Sequence, residues 1–270
     1  HETLKKHFLL FFELISEYKL VPNAHFEKIN TVYRSLTGIP FPYNNAIIGV
    51  PDTEDNWDQF ISQQLDYFNA LKIPFVWYID EASNLEFKEM LKSYNFKDIG
   101  IFQGVIGSLN HSILGPEISN DSKLERVKNE KTLEEFNDLV CATFEINGVS
   151  KAMYKKVLWK AMLGNKPMMS HWIARKEGKA VSAVSTLIKD EIVSFWNGAT
   201  IPEFRRQGYS TALRHLALKD ALAKGCHTGI SYLMAEGLAL GICKKLGYKT
   251  NWRFHALVAP INNIMKTSKK

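Results

Sequence analysis

The sequence predicts a mixed α/β (α+β) fold that is divided into two domains. Its 270 residues exceed the usual size of one domain, and 46% of them are hydrophobic, which is enough for a substantial core. Segments with helical periodicity alternate along the chain with short apolar runs bounded by turn residues. A stretch at 109–122 is poor in apolar residues and rich in Gly, Pro, Asn and Ser, so we expect domains at 1–120 and 121–270.

Composition argues against several classes of protein. The longest purely apolar run, Phe8–Phe12, is far shorter than the roughly 20 residues of a membrane span, so no membrane partner is expected. Three cysteines lie far apart without a Cys-x-x-Cys pair, which argues against a disulfide framework or a metal site and favours a reducing, cytoplasmic location. The net charge of +6 suits a polyanionic partner, but the aromatic residues are not interleaved with basic ones, so nucleic acid is not the expected partner. A monomer and a homodimer both fit.

The elements of the first half follow from periodicity. Apolar residues at helical spacing predict helices over 3–19 and 58–72 and from about residue 84 to 94. The run IPFVWYID at 73–80 reads as a short strand entered through Pro74.

The second half shows a longer and more regular order. Thr132 is expected to cap a helix over 133–144, with Glu135 bonding back to the cap. An alternating run turns at Glu177-Gly178-Lys179 and at Lys189-Asp190, which predicts three antiparallel strands. The remaining predicted elements are a strand at 123–129, a helix at 150–163, a helix after Gly208, a strand at 228–234, a helix at 236–246 and a final pair of strands.

One short segment carries the strongest indication of function. In ATIPEFRRQGYSTALRHLALKDA, at 199–221, two arginines and a glycine directly precede a helix. The first turn of a helix leaves backbone N–H groups without partners and has a partial positive charge, so it favours a phosphate. Gly208 lets a ligand approach the backbone, and Arg205 and Arg206 add charge. The alternative is a helix start that merely ends the preceding strand.

Residues 123–260 resemble the GCN5-related N-acetyltransferase (GNAT) superfamily. Its signature Gln/Arg-x-x-Gly-x-Gly/Ala is matched by Arg205-Arg206-Gln207-Gly208-Tyr209-Ser210, with Ser as a departure at the sixth position, and ICKKLGY at 242–248 is similar to a second family segment. The resemblance implies domains that are each a mixed, mostly antiparallel sheet flanked by helices. It also implies that acetyl-CoA is the cofactor, with its pyrophosphate on the N–H groups of Arg206–Thr211 and its pantetheine arm along the preceding strand. The expected cofactor-binding residues are Gly198, Ala199, Thr200, Arg205, Arg206, Gln207, Gly208, Tyr209, Ser210 and Thr211.

The resemblance therefore predicts an acetyl-CoA-dependent N-acetyltransferase. It would transfer an acetyl group to a primary amine of a small molecule or peptide by direct attack. The alternative is a non-catalytic acyl-CoA-binding or regulatory module, because the tyrosine that commonly serves as proton donor in the family is replaced by Cys243.

The catalytic groups are less well defined by the pattern. Cys243 and Tyr232 are the candidate proton donors, with Tyr209 as a further possibility, although a buried cysteine more commonly just packs. Some relatives place a glutamate base where this chain has Ser194, with Glu191 nearby, and a water relay to Glu145 or His171 is an alternative. The expected acceptor-binding residues are Glu145, Trp172 and Trp196, although both tryptophans also fit a core.

The first half contains an echo of the second. FVWYID, a helix and KSYNF at 92–96 parallel ISYLMA, a helix and KKLGY at 244–248, with Asn95 in the place of Gly247. This pattern resembles tandem acetyltransferase-like proteins, although a chance similarity is the alternative. No Arg-x-x-Gly-x-Gly stretch precedes the first copy, so we expect a degenerate N-terminal domain that does not bind coenzyme A.

Overall fold

A computed structural model describes residues 1–52, 56–82, 85–109, 118–119, 121–163, 168–237 and 239–260. The chain forms two compact units, each assembled from separate stretches of sequence. The N-terminal unit comprises Phe8–Gln103 and Trp252–Lys270, and the C-terminal unit comprises His1–His7 and Gly104–Asn251. The predicted boundary at residue 120 lies outside the described residues, so the domain limits of 1–120 and 121–270 stay a prediction.

Seven helices and eleven strands occur in the described parts of the chain. The helices are α1 (Glu2–Glu17), α2 (Trp57–Leu71), α3 (Leu85–Ser93), α4 (Glu130–Phe144), α5 (Gly148–Leu163), α6 (Tyr209–Ala223) and α7 (Ala239–Lys245). The strands are β1 (His25–Ile29), β2 (Val32–Leu36), β3 (Ala46–Ile48), β4 (Val76–Asp80), β5 (Lys97–Ser108), β6 (Ser122–Arg126), β7 (Met169–Lys176), β8 (Lys179–Lys189), β9 (Ile192–Thr200), β10 (Thr228–Met234) and β11 (Lys249–Val258).

The N-terminal unit contains strands in the order β1-β2-β3-β4-β11. Only the β3/β4 pair is parallel among these neighbours, and the other pairs are antiparallel. Helices α2 and α3 contribute buried aromatic residues to its core, where Trp77 is fully buried between Phe87 and Phe96. This unit is the mixed, mostly antiparallel sheet with helices that the resemblance implies.

The C-terminal unit has the strand order β6-β7-β8-β9-β10-β5. Strands β6 to β9 are antiparallel neighbours, and β9 and β10 run parallel. The two hairpins of the predicted meander turn at Glu177-Gly178 and at Asp190-Glu191, where all four residues have positive φ values, as tight hairpin turns require. One apolar face of the sheet packs against α6 through residues such as Leu213. The predicted fold class is confirmed for this unit too.

The start of α4 corrects one expectation. Thr132 does not cap the helix with Glu135. Instead, Asn129 is the cap, its Oδ1 accepts from the Thr132 N–H at 2.9 Å, and the Thr132 hydroxyl accepts from the Asn129 N–H at 3.3 Å. The capping box is therefore shifted by three residues, because threonine at the third helical position can accept the return bond that glutamate was expected to take.

The end of the chain corrects another expectation. Through residue 260, the described residues form one strand, β11, rather than a final pair. Its ten residues, KTNWRFHALV, contain no glycine, proline or other turn pattern, so nothing in them breaks the extended backbone.

Helices α3 and α7 end in the same way. Asn95 and Gly247 both have left-handed backbones, with φ values of 63° and 76°. The next residue in each case donates to the carbonyl five residues earlier, from Phe96 to Leu91 and from Tyr248 to Cys243. This shared helix ending supports the internal repeat read from the sequence.

Candidate functional site

The loop before α6 presents a row of backbone N–H groups. Gly208 is the helix cap with a φ of 90°, a backbone conformation that favours glycine, and it offers no side-chain cap. The first hydrogen bond of the helix runs from Ala212 N–H to Gly208 O, at 2.9 Å. Within the described part of the chain, the N–H groups of Arg206–Thr211 have no hydrogen-bond acceptor. We call this group of six N–H groups the amide cradle.

The side chains around the amide cradle are anchored to the loop itself. The Arg205 guanidinium donates to Thr200 O at 3.2 Å, and the Gln207 amide donates to Glu203 O at 2.8 Å. Arg206 is exposed and has a left-handed backbone with a φ of 63°. Tyr209 is buried, and its hydroxyl pairs with that of Ser122 at 3.2 Å. The loop is thus held in shape while two arginines remain exposed beside the amide cradle.

Strands β9 and β10 separate beside this loop. Their parallel pairing runs from Thr228 opposite Ile192 to Ser231 opposite Phe195, and it stops there. Strand β9 continues to Thr200 and β10 continues to Met234. The ends 196–200 and 232–234 are not paired with each other in this register, so they border an opening whose apex is the Phe195–Ser231 pair. The predicted arm-binding residues Gly198, Ala199 and Thr200 all lie on the end of β9 that extends beyond its pairing with β10.

A bulge in β9 accompanies this opening. Asn197 and Gly198 together face the single residue Val184 of β8, since the pairing passes from Ser185–Trp196 to Ala183–Ala199. Asn197 has a φ of 54°, and Gly198 is exposed. A bulge bends its strand and increases the local twist, so it directs this end of β9 away from the regular ladder.

Buried polar side chains hold the bulge. The Tyr154 hydroxyl of α5 donates to Asn197 Oδ1, and Asn197 Nδ2 donates to Ser185 Oγ at 2.9 Å. Ser185 Oγ is 2.8 Å from His171 Nδ1, and His171 Nε2 is 3.2 Å from Leu158 O. A carbonyl only accepts, so His171 carries its proton on Nε2, and its Nδ1 accepts from the Ser185 hydroxyl. Every donor direction in this bulge network is thereby fixed.

Burial also determines the charge of His171. The ring is fully buried, and this desolvation lowers its pKa from 6.5 to about 4, although the bond to Leu158 O acts in the opposite direction. Arg126 lowers the pKa further by repulsion. His171 is therefore a neutral member of the bulge network at neutral pH.

The two predicted proton donors lie in different surroundings. Cys243 of α7 is fully buried, and burial raises its thiol pKa. Tyr232 lies on β10 just beyond the pairing with β9, where its hydroxyl donates to Leu4 O, and burial raises its pKa well above 10. The Tyr232 ring lies 5.0 Å from that of Trp196, across the opening. No described contact joins Tyr232 to Cys243.

The predicted acceptor-binding residues are not gathered in one place. Trp196 is half-buried beside the opening, and its indole donates to Ser194 Oγ at 2.9 Å. Trp172 is buried in the core that α6 covers, where its indole donates to Thr186 at 3.3 Å. Glu145 is exposed at the end of α4. Trp172, Glu145 and Trp196 thus lie in three different surroundings.

The alternative bases are also separated from the opening or engaged. Ser194 is fully buried and donates to Leu187 O at 3.4 Å. Glu191 is exposed in the β8–β9 turn and pairs with His227 at 2.8 Å.

The described residues contain no cluster of His, Cys, Asp and Glu that could hold a metal ion. None of the described helices is both long and apolar enough to cross a bilayer.

Sequence reasoning missed two residues beside the opening. Asn197 creates the bulge network, and its left-handed φ had only a weak signal, the Asn-Gly dipeptide at 197–198. Arg214 interrupts the apolar stripe of α6 and is buried, with an exposed fraction of 6%. A charged residue within an apolar stripe is the signal that could have identified it.

Comparison with known proteins gives a family match and several similar structures. Residues 133–248 match the acetyltransferase (GNAT) family model. A GCN5-related N-acetyltransferase from Kribbella flavida is similar in structure at 15% identity, with 93% of this chain and 95% of that chain covered and a TM-score of 0.65. A GCN5-related N-acetyltransferase from Sphaerobacter thermophilus is similar in structure at 10% identity, with 86% of this chain and 77% of that chain covered and a TM-score of 0.63.

A tandem GNAT protein from the clavulanic acid biosynthesis pathway is similar at 10% identity, with 86% of this chain and 78% of that chain covered and a TM-score of 0.58. No curated protein sequence matches the chain significantly. At these identities, the structural likenesses establish the fold, and the family model identifies the domain that carries the amide cradle. The chain therefore resembles the GNAT superfamily over residues 133–248, the part that matches the family model and contains the amide cradle.

Proposed function

We propose that this protein is an acetyl-CoA-dependent N-acetyltransferase that acts on a primary amine of a small molecule or peptide. The observation that carries the proposal is the amide cradle, six N–H groups without described acceptors next to Arg205 and Arg206. Such a site fits a pyrophosphate, because the amides donate hydrogen bonds and the helix start and the guanidinium groups supply positive charge. The match of residues 133–248 to the GNAT family model supports acyl transfer as the reaction class.

The opening between β9 and β10 supports a bound pantetheine arm. Gly198, Ala199 and Thr200 lie on a strand end that has lost its β10 partner, so their backbone groups can pair with an extended ligand. Acetyl-CoA supplies an activated acyl group when bound. The chain would orient it along β9, next to Trp196 and Tyr232. A neutral amine then attacks the carbonyl directly, with donors such as backbone N–H groups stabilising the oxyanion.

Tyr232 and Cys243 stay the proposed proton donors. Tyr232 has the more favourable position, because it lies on β10 just beyond the pairing with β9, beside the opening. Cys243 is less accessible, since it is fully buried. Among the expected acceptor-binding residues, Trp196 beside the opening is the strongest, and the proposal retains Glu145 and Trp172.

A non-catalytic acyl-CoA-binding or regulatory module is the second candidate. It is favoured by the engagement of the Tyr232 hydroxyl with Leu4 O and by the complete burial of Cys243. Acetyl transfer to a panel of primary amines separates the candidates, because a binding module would take up acetyl-CoA without acetylating any amine. We further propose a cytoplasmic location, in accord with three free, buried cysteines, for a monomer or homodimer.

The experiment is calorimetric titration of acetyl-CoA into native protein and a Gly208→Glu variant. Glutamate at Gly208 places negative charge at the amide cradle and strains a backbone with a φ of 90°. The matched control is Gly225→Glu at the other end of α6, where φ is 83° and nothing lies within 4 Å of an added Cβ. Native protein and Gly225→Glu should bind acetyl-CoA, and Gly208→Glu should lose binding by at least about 100-fold. Equal affinities in the two variants would refute the proposed site.

A further inference from the structure

Arg214 places a positive charge at the apex of the opening. Its Nη1 donates to Ser231 Oγ at 3.0 Å, and its guanidinium carbon is 4.8 Å from the centre of the Phe195 ring. Phe195 and Ser231 form the last pair between β9 and β10. The guanidinium therefore lies where the two strands separate.

No described acidic residue neutralises this charge. Arg214 takes part in none of the ion pairs of the described residues, and its Nε has no hydrogen-bond partner. Among the described residues, its positive charge lowers the pKa values of Cys243 in α7 and of Tyr248 just after that helix. Both keep their protons near neutral pH, because burial raises the pKa of each. A buried cation without an anionic partner is costly, which points to an anion supplied from outside the chain.

The guanidinium group can be reached from the end of β9 that extends beyond its pairing with β10. Its Nη2 lies 3.8 Å from the position that a Cβ on Gly198 would occupy. Gly198 is exposed and belongs to the bulge. An arm that follows β9 from the amide cradle toward the apex would therefore bring its far end toward Arg214, and the far end of the pantetheine arm is the sulfur atom.

We infer that Arg214 is a catalytic residue that stabilises the thiolate released when the acyl group leaves coenzyme A. This inference rests on the proposed function. In the reaction, the amine nitrogen forms a bond to the carbonyl carbon, the carbon–sulfur bond breaks, and sulfur leaves with the electron pair. The nitrogen loses one proton, so the products are an amide, a thiolate and a proton. Arg214 thus meets its anionic partner only as the thioester breaks, which lowers the barrier selectively.

The inference can be tested by binding alone, without turnover. Free coenzyme A has a thiol that ionises near about 8.5 if cysteine is a guide, whereas acetyl-CoA has none. An opposite charge nearby favours the ionised form by about 1–3 pKa units, so affinity for coenzyme A should rise about tenfold or more between pH 7 and 9.5. Acetyl-CoA is the control ligand, because it has the same phosphates but no thiol. Any change in its affinity over the same pH range comes from groups other than the thiol.

Variants then assign the effect to Arg214. Arg214→Met should abolish the rise for coenzyme A and leave acetyl-CoA binding nearly unchanged. Lys219→Met is the matched control, since it removes an exposed cation from the same helix, and it should keep the rise. Cys243→Ala should also keep it, which excludes titration of that buried thiol as the source.

The outcomes separate this inference from the proposed function. Native protein could bind both ligands without any rise in affinity for coenzyme A relative to acetyl-CoA between pH 7 and 9.5. That result would refute the role of Arg214 and leave the proposed function standing. The comparison uses native protein alone, so it does not depend on whether a variant folds. A rise that persists in Arg214→Met refutes it equally. Equal weakening of both ligands in that variant would assign Arg214 to the arm rather than the sulfur. If native protein binds neither ligand, the proposed function and the inference fail together.

Discussion

The buried histidine of the bulge network makes the stability of the protein depend on pH. His171 has a pKa lowered from 6.5 to about 4, chiefly by burial. Below pH 6.5, the unfolded chain binds a proton at this residue that the folded chain does not bind. The free energy of unfolding therefore falls as the pH falls, and the loss is complete below about pH 4, where both states are protonated.

The magnitude follows from the width of this window. Each pH unit between the two pKa values is worth about 1.4 kcal/mol, so the interval from 6.5 to about 4 corresponds to about 3 kcal/mol. The structural reason is the fixed donor order, because a second proton on Nδ1 would displace the hydroxyl hydrogen of Ser185 from its acceptor. That hydroxyl also accepts from Asn197, and the site is closed to water.

Urea unfolding at several pH values from 7.5 to 4 measures this effect. The His171→Gln variant lacks the titrating ring. Between pH 6.5 and about 4, the free energy of unfolding of this variant should therefore fall by about 3 kcal/mol less than that of native protein. The control is His227→Gln, which changes an exposed histidine of the same unit and should follow the native curve. If His171→Gln loses stability as steeply as native protein, the ring does not stay neutral in the folded state and the derived donor order is wrong.

Two further predictions concern stability near neutral pH. Asn129→Ala should cost about 1 kcal/mol in urea unfolding, because it removes the cap of α4, and a loss no larger than that of Glu130→Ala would contradict the assigned cap. Gly229→Ala should cost about 1–3 kcal/mol, since its Cβ would lie 1.7 Å from the Tyr248 hydroxyl oxygen. Gly241→Ala, with open space around its Cβ position, is the control and should be nearly neutral.

The sequence predicted best those features that depend on contiguous residues. The helix over 58–72 is found at Trp57–Leu71, because its apolar spacing is regular and long. The amide cradle also belongs to this class, since one loop and one helix start supply all of its N–H groups. The hairpin of β1 and β2 was not predicted, because its short strands mix polar and apolar residues, although Asn30 with a φ of 55° marks its turn.

Features that depend on register could not be predicted in the same way. Tyr154, Ser185 and Asn197 are far apart in sequence and meet only because β8, β9 and α5 pack in one arrangement. A bulge shifts which residues face each side, so alternation alone cannot assign them. The position of Arg214 within the apolar stripe could have marked it as unusual, but only the pairing of β9 with β10 shows that it lies beside Phe195 and Ser231.

A comparison of the two parallel strand pairs supports the expectation that the N-terminal unit does not bind coenzyme A. Its parallel pair, β3 and β4, stays in register over all of β3, and Gly49 N–H then donates to Tyr78 O at 2.9 Å, which extends the pairing beyond the strand. The Trp77 indole donates to Gly49 O at 2.9 Å and holds this end closed. The parallel pair of the C-terminal unit instead separates after Phe195 and Ser231. If a pantetheine arm enters only where the strands part, the proposed function predicts one coenzyme A per chain, and calorimetric titration would measure this stoichiometry.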